Sequence, residues 1–515
     1  MITGLTGREN IYTDEPVITD ENIFGVITQG IFDHAASRNE IIRLFKYELG
    51  EQPVLHREKP IRSEINYKVC ANYARQIVDF KTGYVYGSPY SYVQRAKNEA
   101  DKSLPAEDDI RIARLNEMFY EQNKPTVDTE VFRNACICGV GYMMVIPKHA
   151  DDGSLSPFDV LSLDPWNTFI IRSNDAYKRP VVGVTYTENR DGTYSMTAYT
   201  KDFIYQTAAR REVIQREDHS EETVWRNIGR YNVTPNVIGV IPIVEFEYSK
   251  ARQGAFEPVI PLMDALNVTN SDRVNDVAQY VQAILWVNDC KLTEDQKNGL
   301  INGGMISTKS TADGRNAKIE YISAPLDQTQ TQALVDYMYS QILEIAGVPS
   351  RENSNSGNGS AVVLGAGWQI AETQAKTSVM LADACEREVA NIALAIIRAT
   401  DKPMPDDVGS LTLSDITPHI GRNKTYELSS RVNSMVSLFK AGIDPETAIT
   451  VVDIFDDPQQ VCIDSIERIN SLLGLNADGT VDGTADEVEE NEIEEVAEES
   501  WDDYGDDMLR GEVKV

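Results

Sequence analysis

Residues 254–400 carry three long helical patterns broken in two places, and that run limits what the chain can build more than anything else in it. The first pattern starts at Pro258 and sets Val274, Val277, Val281, Ile284 and Leu285 at offsets of three and four, one stripe along an α-helix. The second repeats the spacing at Leu334, Met338, Ile342 and Ile345 and stops at Gly347-Val348-Pro349. The third puts Val389, Ile392, Ile396 and Ile397 on one face before Pro403. Between the first two lies a short β-like insertion, residues 291–325. Between the last two lies a polar run, Arg351-Glu-Asn-Ser-Asn-Ser-Gly-Asn-Gly-Ser360, with nothing to bury. Two helices returning past each other, with a small module at one tip and a polar loop at the other, describe a building block and not an enzyme pocket.

The flanking sequence reads as α+β. Residues 23–49 suggest one or two amphipathic helices, and residues 63–83 a helix aligning Val69, Tyr73, Ile77 and Phe80. Gly83 and Gly87-Ser88-Pro89 end it and open an extended segment from Tyr90. Helical patterns at 109–121 and 128–138 lead into residues 139–147, a buried strand bounded by turn residues. Short strands separated by turns near Gly192 and Gly229 fill 155–248, and Pro242 places the last of them at an edge or a bulge. Beyond the third helix, residues 403–423 look irregular and suited to packing back on the first domain. Residues 426–473 form a small helical cluster broken at Gly442, Pro445 and Asp457-Pro458. No internal repeat interrupts this order.

Charge excludes one class of function. The 515-residue chain carries a net charge of −33, and residues 478–507 alone supply fifteen acids with no Lys or Arg. That tail is dense in like charge and poor in apolar residues, the composition of a disordered segment. Gripping duplex DNA draws on Lys and Arg neutralising phosphates, so if a chain this acidic handles DNA it does so by containing it. Acidic walls around a channel would repel phosphates and centre the duplex. No apolar run reaches the length that spans a bilayer, and Met1-Ile-Thr-Gly-Leu-Thr-Gly-Arg8 lacks the regions of a signal peptide, so a soluble, cytoplasmic product is expected. Six scattered cysteines fit reduced, buried thiols.

Motifs for chemistry are sparse. Cys136-x-Cys138 is half a metal site with no second pair nearby, and reads as two buried thiols. His34, His56, His149, His219 and His419 stand apart, as surface or loop residues do. Gly357-Asn-Gly-Ser360 lacks the lysine and preceding strand of a phosphate loop. Asn476-Ala-Asp478-Gly479 fails as a calcium loop, because Gly474 and Ala485 stand where ligands should. Asp453, Asp456 and Asp457 form the one carboxylate cluster that a two-metal nuclease would use, although capping beside Pro458 is the plainer reading. No cofactor or metal is expected.

Four stretches in a fixed order point to a family. Residues 77–89, Ile-Val-Asp-Phe-Lys-Thr-Gly-Tyr-Val-Tyr-Gly-Ser-Pro, come first, followed by Phe256-Glu-Pro-Val-Ile-Pro-Leu-Met-Asp-Ala-Leu-Asn267 with Ser271-Asp272. Lys440-Ala-Gly-Ile-Asp-Pro-Glu-Thr-Ala448 and Asp456-Asp-Pro458 come later. Together, across residues 60–470, they resemble the portal proteins of tailed bacteriophages, in the branch of long-tailed phages of Gram-positive hosts. The resemblance implies a multidomain α+β subunit. Its parts would be a wing at 1–250, a first stem helix at 251–287, a clip at 288–325 and a second stem helix at 326–350. A tunnel loop at 351–364, a long helix returning to the wing at 365–427, a helical crown at 428–475 and an acidic tail at 476–515 would complete it.

The same resemblance implies a non-enzymatic ring at one capsid vertex, about twelve subunits if it follows the family. Its partners would be the large terminase ATPase, the head-tail adaptor, the major capsid and scaffolding proteins, and duplex DNA passing without sequence specificity. It would reside in the virion, and in host cytoplasm during assembly, with no membrane partner. Arg351, Asn353, Asn355, Ser356, Gly357, Asn358 and Gly359 match by position the loop nearest the DNA. In the clip, Lys291, Lys297, Lys309, Arg315 and Lys318 balance Asp289, Glu294, Asp295, Asp313 and Glu320. That neutral surface suits pairing between proteins. Two readings from other classes stand beside this one: a metal-dependent DNA-processing enzyme using Asp453, Asp456 and Asp457, and an acidic scaffold or adaptor acting through its tail.

Overall fold

The computed structural model describes residues 7–59, 63–94, 110–148, 153–215, 221–229, 232–281, 284–288, 318–322, 328–349, 367–400, 405–420, 428–452, 461–462 and 465. Two units divide the chain, one of residues 1–96 and 109–426, the other of residues 97–108 and 427–515. Within the first unit the order begins β1 (Ile11–Thr13), α1 (Ile23–Glu48), α2 (Tyr73–Val85), β2 (Tyr90–Gln94), α3 (Ile110–Glu121) and α4 (Lys124–Cys138). Strands β3 (Val140–Pro147), β4 (Phe158–Leu163), β5 (Thr168–Ser173), β6 (Pro180–Glu188), β7 (Thr193–Tyr199) and β8 (Phe203–Gln215) follow. Then come β9 (Glu221–Asn227), β10 (Asn232–Pro235), β11 (Ile243–Glu247), α5 (Ile260–Val281), β12 (Ile284–Asn288) and β13 (Lys318–Ile322). Helices α6 (Thr329–Ala346) and α7 (Trp368–Ala399) and strand β14 (Ile416–Ile420) complete it. This is the expected α+β class.

The largest sheet runs β1-β5-β6-β7-β8-β10, with β9 also paired to β8. β1 lies parallel to β5, and the remaining pairs are antiparallel. Ile23, Ile27 and Ile31, one turn apart on α1, bury themselves against Phe169, Ile171, Val182, Val184, Met196 and Ala198 of this sheet. Residues 23–48 form one helix, not two. Its second half carries Ile41, Leu44 and Tyr47 into a second core shared with α2, α4, α5 and α6. A three-stranded sheet, β11-β3-β4, forms a third core with α3 and the far half of α7. β11 is an edge strand, starting directly after Pro242, whose missing N–H excludes it from a ladder interior.

Three expectations need correction. Residues 63–72 are not helical: α2 begins at Tyr73, capped by the Asn72 side chain, and Val69 lies in an extended stretch. The first long helix ends at Val281, so Ile284 and Leu285 sit on a strand instead of a helical stripe; a short apolar run satisfies either period. Residues 405–420, expected to be irregular, hold a 3₁₀ turn and β14, which pairs with β2 from Ile416 opposite Gln94 to Ile420 opposite Tyr90.

The second unit, by itself, shows α8 (Leu428–Lys440) and α9 (Pro445–Val452). Gly442, at φ 78°, ends α8 with its N–H on Phe439 O and that of Ile443 on Leu438 O. Asp444 then caps α9 by accepting from Thr447 N at 3.2 Å, with Pro445 pre-set for the first turn. Residues 453–460 and the acidic tail lie outside the described residues.

Candidate functional site

The helix pair α5 and α6 packs together, and its sequence explains the arrangement from both sides. Gln328, at the start of α6, exchanges hydrogen bonds with Arg273 near the end of α5, and the 257–259 turn before α5 packs against α6. The helices therefore run in opposite directions. On the inner face of α5, Met263 and Leu266 give way to Asn267, Ser271 and Asn275, all fully buried. These polar residues bind the extended stretch at 66–71. Asn275 Oδ1 accepts from Tyr67 N at 2.7 Å, Ser271 Oγ from Val69 N at 2.9 Å, and Asn267 Oδ1 from Ala71 N at 2.8 Å. Asn275 Nδ2 returns a bond to Tyr67 O at 3.2 Å. Three rungs fit because four helical residues rise about 6 Å and two extended residues about 6.6 Å. The helix thus serves as the neighbouring strand for a segment that would otherwise bury unpaired N–H groups.

The exposed side of the pair carries large apolar residues among polar ones such as Gln332, Asp336 and Glu344. Val274 and Val277 are 41% and 42% exposed, Leu334 and Ile345 each 49%, and Tyr337 62%. Val274 and Val277 belong to the stripe read on the first helix, Leu334 and Ile345 to the stripe read on the second. Among the residues of those two stripes, Met338 and Ile342 point into the core. β12 and β13 form an antiparallel ladder, Ile284 opposite Ile322 and Asn288 opposite Lys318. The β-like insertion is thus rooted in a two-stranded ladder that starts earlier than expected.

Helix α6 stops as its sequence demands. Gly347 N bonds Glu344 O at 3.1 Å and Val348 N bonds Leu343 O at 2.9 Å, a closing turn that requires positive φ at Gly347 (63°). A Cβ there would lie 2.1 Å from the Gln374 side chain. The Gly347 carbonyl accepts from Lys81 Nζ of α2 at 3.0 Å, and the same ammonium bonds Gln374 Oε1 of α7. Next to it, Tyr84 OH donates to Glu372 Oε2 at 2.8 Å, and Trp368 packs on Phe80 and Tyr84 with centroids 6.1 and 5.8 Å apart. Only small residues, Ala371, Ala375 and Ala382, are buried over this half of α7, allowing close approach to α2.

Over its second half α7 buries Val389, Ile392, Ile396 and Ile397, the stripe read from sequence. At the join between the halves sits Glu386, fully buried. Its Oε2 accepts from Lys124 Nζ at 2.7 Å and Tyr92 OH at 3.1 Å. Lys124 also bonds both Asp128 oxygens, at 2.9 and 2.7 Å, with the Tyr90, Tyr92 and Phe119 rings 5.6–5.8 Å away. One cation therefore faces two carboxylates in a buried site, and Glu386 Oε1 has no partner among the described residues. Burial, then the Glu386 charge, raise the Asp128 carboxyl to about 7, more than Lys124 lowers it. The Lys124 ammonium, although burial opposes its charge, is held protonated by the two acids.

The sequence candidates fare unevenly. Lys318 begins β13. Lys291, Lys297, Lys309, Arg315, Arg351, Asn353, Asn355, Ser356, Gly357, Asn358 and Gly359 lie outside the described residues, as do Asp453, Asp456 and Asp457. Cys136 and Cys138 are buried free thiols, each pushed up to about 12 by desolvation. His34 is not a surface histidine: it packs on Phe169 and meets Tyr186 OH at 3.2 Å in the sheet core, and burial lowers it to about 4. Among the described residues no cluster of His, Cys, Asp or Glu could hold a metal, and no helix is long and apolar enough to cross a membrane. Lys81, Lys124 and the three-rung seam went unseen, because each joins residues about 200 or more positions apart.

An α/β body that carries two antiparallel helices, tipped by a two-stranded ladder and bearing apolar residues outward, defines a structural subunit. The match to known families gives it a place: over residues 31–500 the chain fits the description "Phage portal protein, SPP1 Gp6-like", and it belongs to that family. It is a tailed-phage portal protein, a component of the virion capsid. A comparison with curated proteins gave no match.

Proposed function

We propose that the chain is one subunit of a closed ring of about twelve copies, in which α5 and α6 form the channel wall. The observation that carries this reading is the inverted helix pair. Its polar face is consumed by the subunit's own 66–71 stretch, while Val274, Val277, Leu334 and Tyr337 remain on the outside. Exposed apolar residues on both helices suit a head-to-tail interface, in which each copy meets its neighbour through a different helix. The residues rooted by the β12–β13 ladder, with Lys291, Lys297, Lys309, Arg315 and Lys318, would receive the packaging ATPase and later the head-tail adaptor. Arg351, Asn353, Asn355, Ser356, Gly357, Asn358 and Gly359 would pass close to the DNA. The body would act as the wing, residues 428–475 as the crown, and capsid and scaffolding proteins as neighbours. The energy for DNA movement would come from the separate ATPase, with the acidic balance of the chain keeping phosphates off the wall.

Native mass spectrometry with negative-stain imaging tests this reading. Closed rings with a central channel are expected, and Val277→Asp with Tyr337→Asp should return them to single subunits without unfolding. A dimer or tetramer without a channel, or rings indifferent to both substitutions, would overturn it.

A further inference from the structure

Lys81 is 4% exposed, yet among the described residues no carboxylate meets its ammonium. Its acceptors are neutral: the carbonyl of Gly347, where α6 ends, and the amide oxygen of Gln374, in the second turn of α7. The titratable groups around it do not supply the missing charge. The Cys136 thiol of α4 is held neutral by burial. Glu372 of α7 and Tyr84 of α2 are bonded to each other, and Glu344 of α6 to Gln341. What compensates the ammonium is the carbonyl-rich C-terminus of α6, the negative end of its dipole. An apolar side chain of the same length would fill this space without the desolvation that burying an amine costs. The lysine is there for its hydrogen bonds.

Those bonds join two places of one kind. Gly347 is where the chain leaves α6, and Gln374 stands just past where it resumes in α7. Phe80 and Tyr84, on the same face of α2 as Lys81, hold Trp368 and Glu372 of that turn. We propose that Lys81 is a positioning residue: a clasp on α2 that fixes the end of α6 and the start of α7 relative to each other, and so sets both ends of the segment between them. This rests on the reading of α6 as channel wall, and it adds a polar tie to the apolar packing of Met338 and Ile342 that already joins that wall to the body.

A shared clasp has a signature that two separate packing contacts lack. Desolvation lowers the Lys81 ammonium from 10.5 to about 8, so a local opening that wets the amine takes up a proton above pH 8. The closed form, which still donates as a neutral amine, therefore gains on the open form as pH rises. From those two values, opening should become about tenfold rarer between pH 7 and pH 9. Hydrogen exchange of the full chain, corrected for the intrinsic rate, reads this at peptides covering 340–348 and 368–376. Both should gain the same factor together. Lys81→Arg should abolish the pH response while keeping protection at pH 7. Lys81→Met should abolish it and speed exchange at both peptides about ten- to a hundredfold. A pH response at one peptide only, at neither, or unchanged in Lys81→Arg would overturn the proposal. The measurement does not depend on ring formation, so failure of the channel reading would appear in the native mass and leave these rates untouched.

Discussion

Replacing Lys124 by methionine should expose how the long helix is fastened to the body. Lys124 Nζ stands 2.7 Å from Glu386 Oε2 and 2.7 Å from Asp128 Oδ2, and all three side chains are at most 2% exposed. Removing the cation from such a site leaves two carboxylates facing each other in low dielectric. Breaking a buried pair in this way costs about 3–5 kcal/mol, well above the about 1 kcal/mol expected of a surface bridge. The cost should shrink on acidification, because protonated carboxyls no longer need the amine. Local stability can be read from exchange protection of peptides covering 124–138 and 383–394 at increasing urea, from pH 4 to pH 8.

The wild type itself should respond to pH. Asp128 is raised from 3.8 to about 7, so the folded form holds a proton that the unfolded form releases. Its contribution is fully present below about pH 4 and is lost as pH rises through 7, on the order of 4 kcal/mol at most. Glu386→Gln removes the charge that, after burial, raises Asp128 most, and should flatten this slope while Lys124→Met steepens it. If Glu386→Gln keeps the full slope, or if Lys124→Met costs less than 1 kcal/mol at pH 8, the cluster does not hold the proton assigned to it.

His34 should act with the opposite sign in the sheet core. Lowered from 6.5 to about 4, it contributes stability above pH 6.5 that is lost as pH falls through 4, roughly 3 kcal/mol at most; His34→Phe should flatten the acid limb of exchange in peptides covering 168–173 and 182–186. Gly347→Ala places a Cβ at positive φ and against Gln374, and should cost about 2 kcal/mol or more, read as lost protection in the last turn of α6. Ser271→Val strips the acceptor from Val69 N in a buried seam, and should cost about 1–3 kcal/mol with faster exchange confined to residues 67–71; unchanged exchange there would mean the seam does not hold the stretch.

Local chemistry was legible and long-range pairing was not. The stop at Gly347-Val348-Pro349 could be read because a helix end is written in a few adjacent residues. The stripe from Val389 to Ile397 could be read because its partners are uniformly apolar. The start of α2 was misplaced since Val69 keeps helical spacing with Tyr73 and Ile77, and only Ser271, 202 positions away, shows why residue 69 is extended. The roles of Lys81 and Lys124 were not legible, for nothing next to them in sequence announces a carbonyl 266 positions on or a carboxylate 262 positions on. The loop and clip candidates rest on family position alone.

Helix α5 is the most instructive element, because a rule that usually works does not hold on it. Apolar stripes face inward when a chain folds alone, since nothing else covers them. On α5 the inner face carries Asn267, Ser271 and Asn275, committed to three backbone amides, and the valines are left outside. Such an inversion is stable in one subunit only because each buried amide is answered; without that, each would cost about 1–3 kcal/mol. Among the described residues, Val274 and Val277 are then left exposed. For a member of a portal family, the economical resolution is that a neighbouring copy covers them. The valines left exposed on α5 are those on which the reading of the ring depends, and a charge placed at Val277 is the simplest test of it.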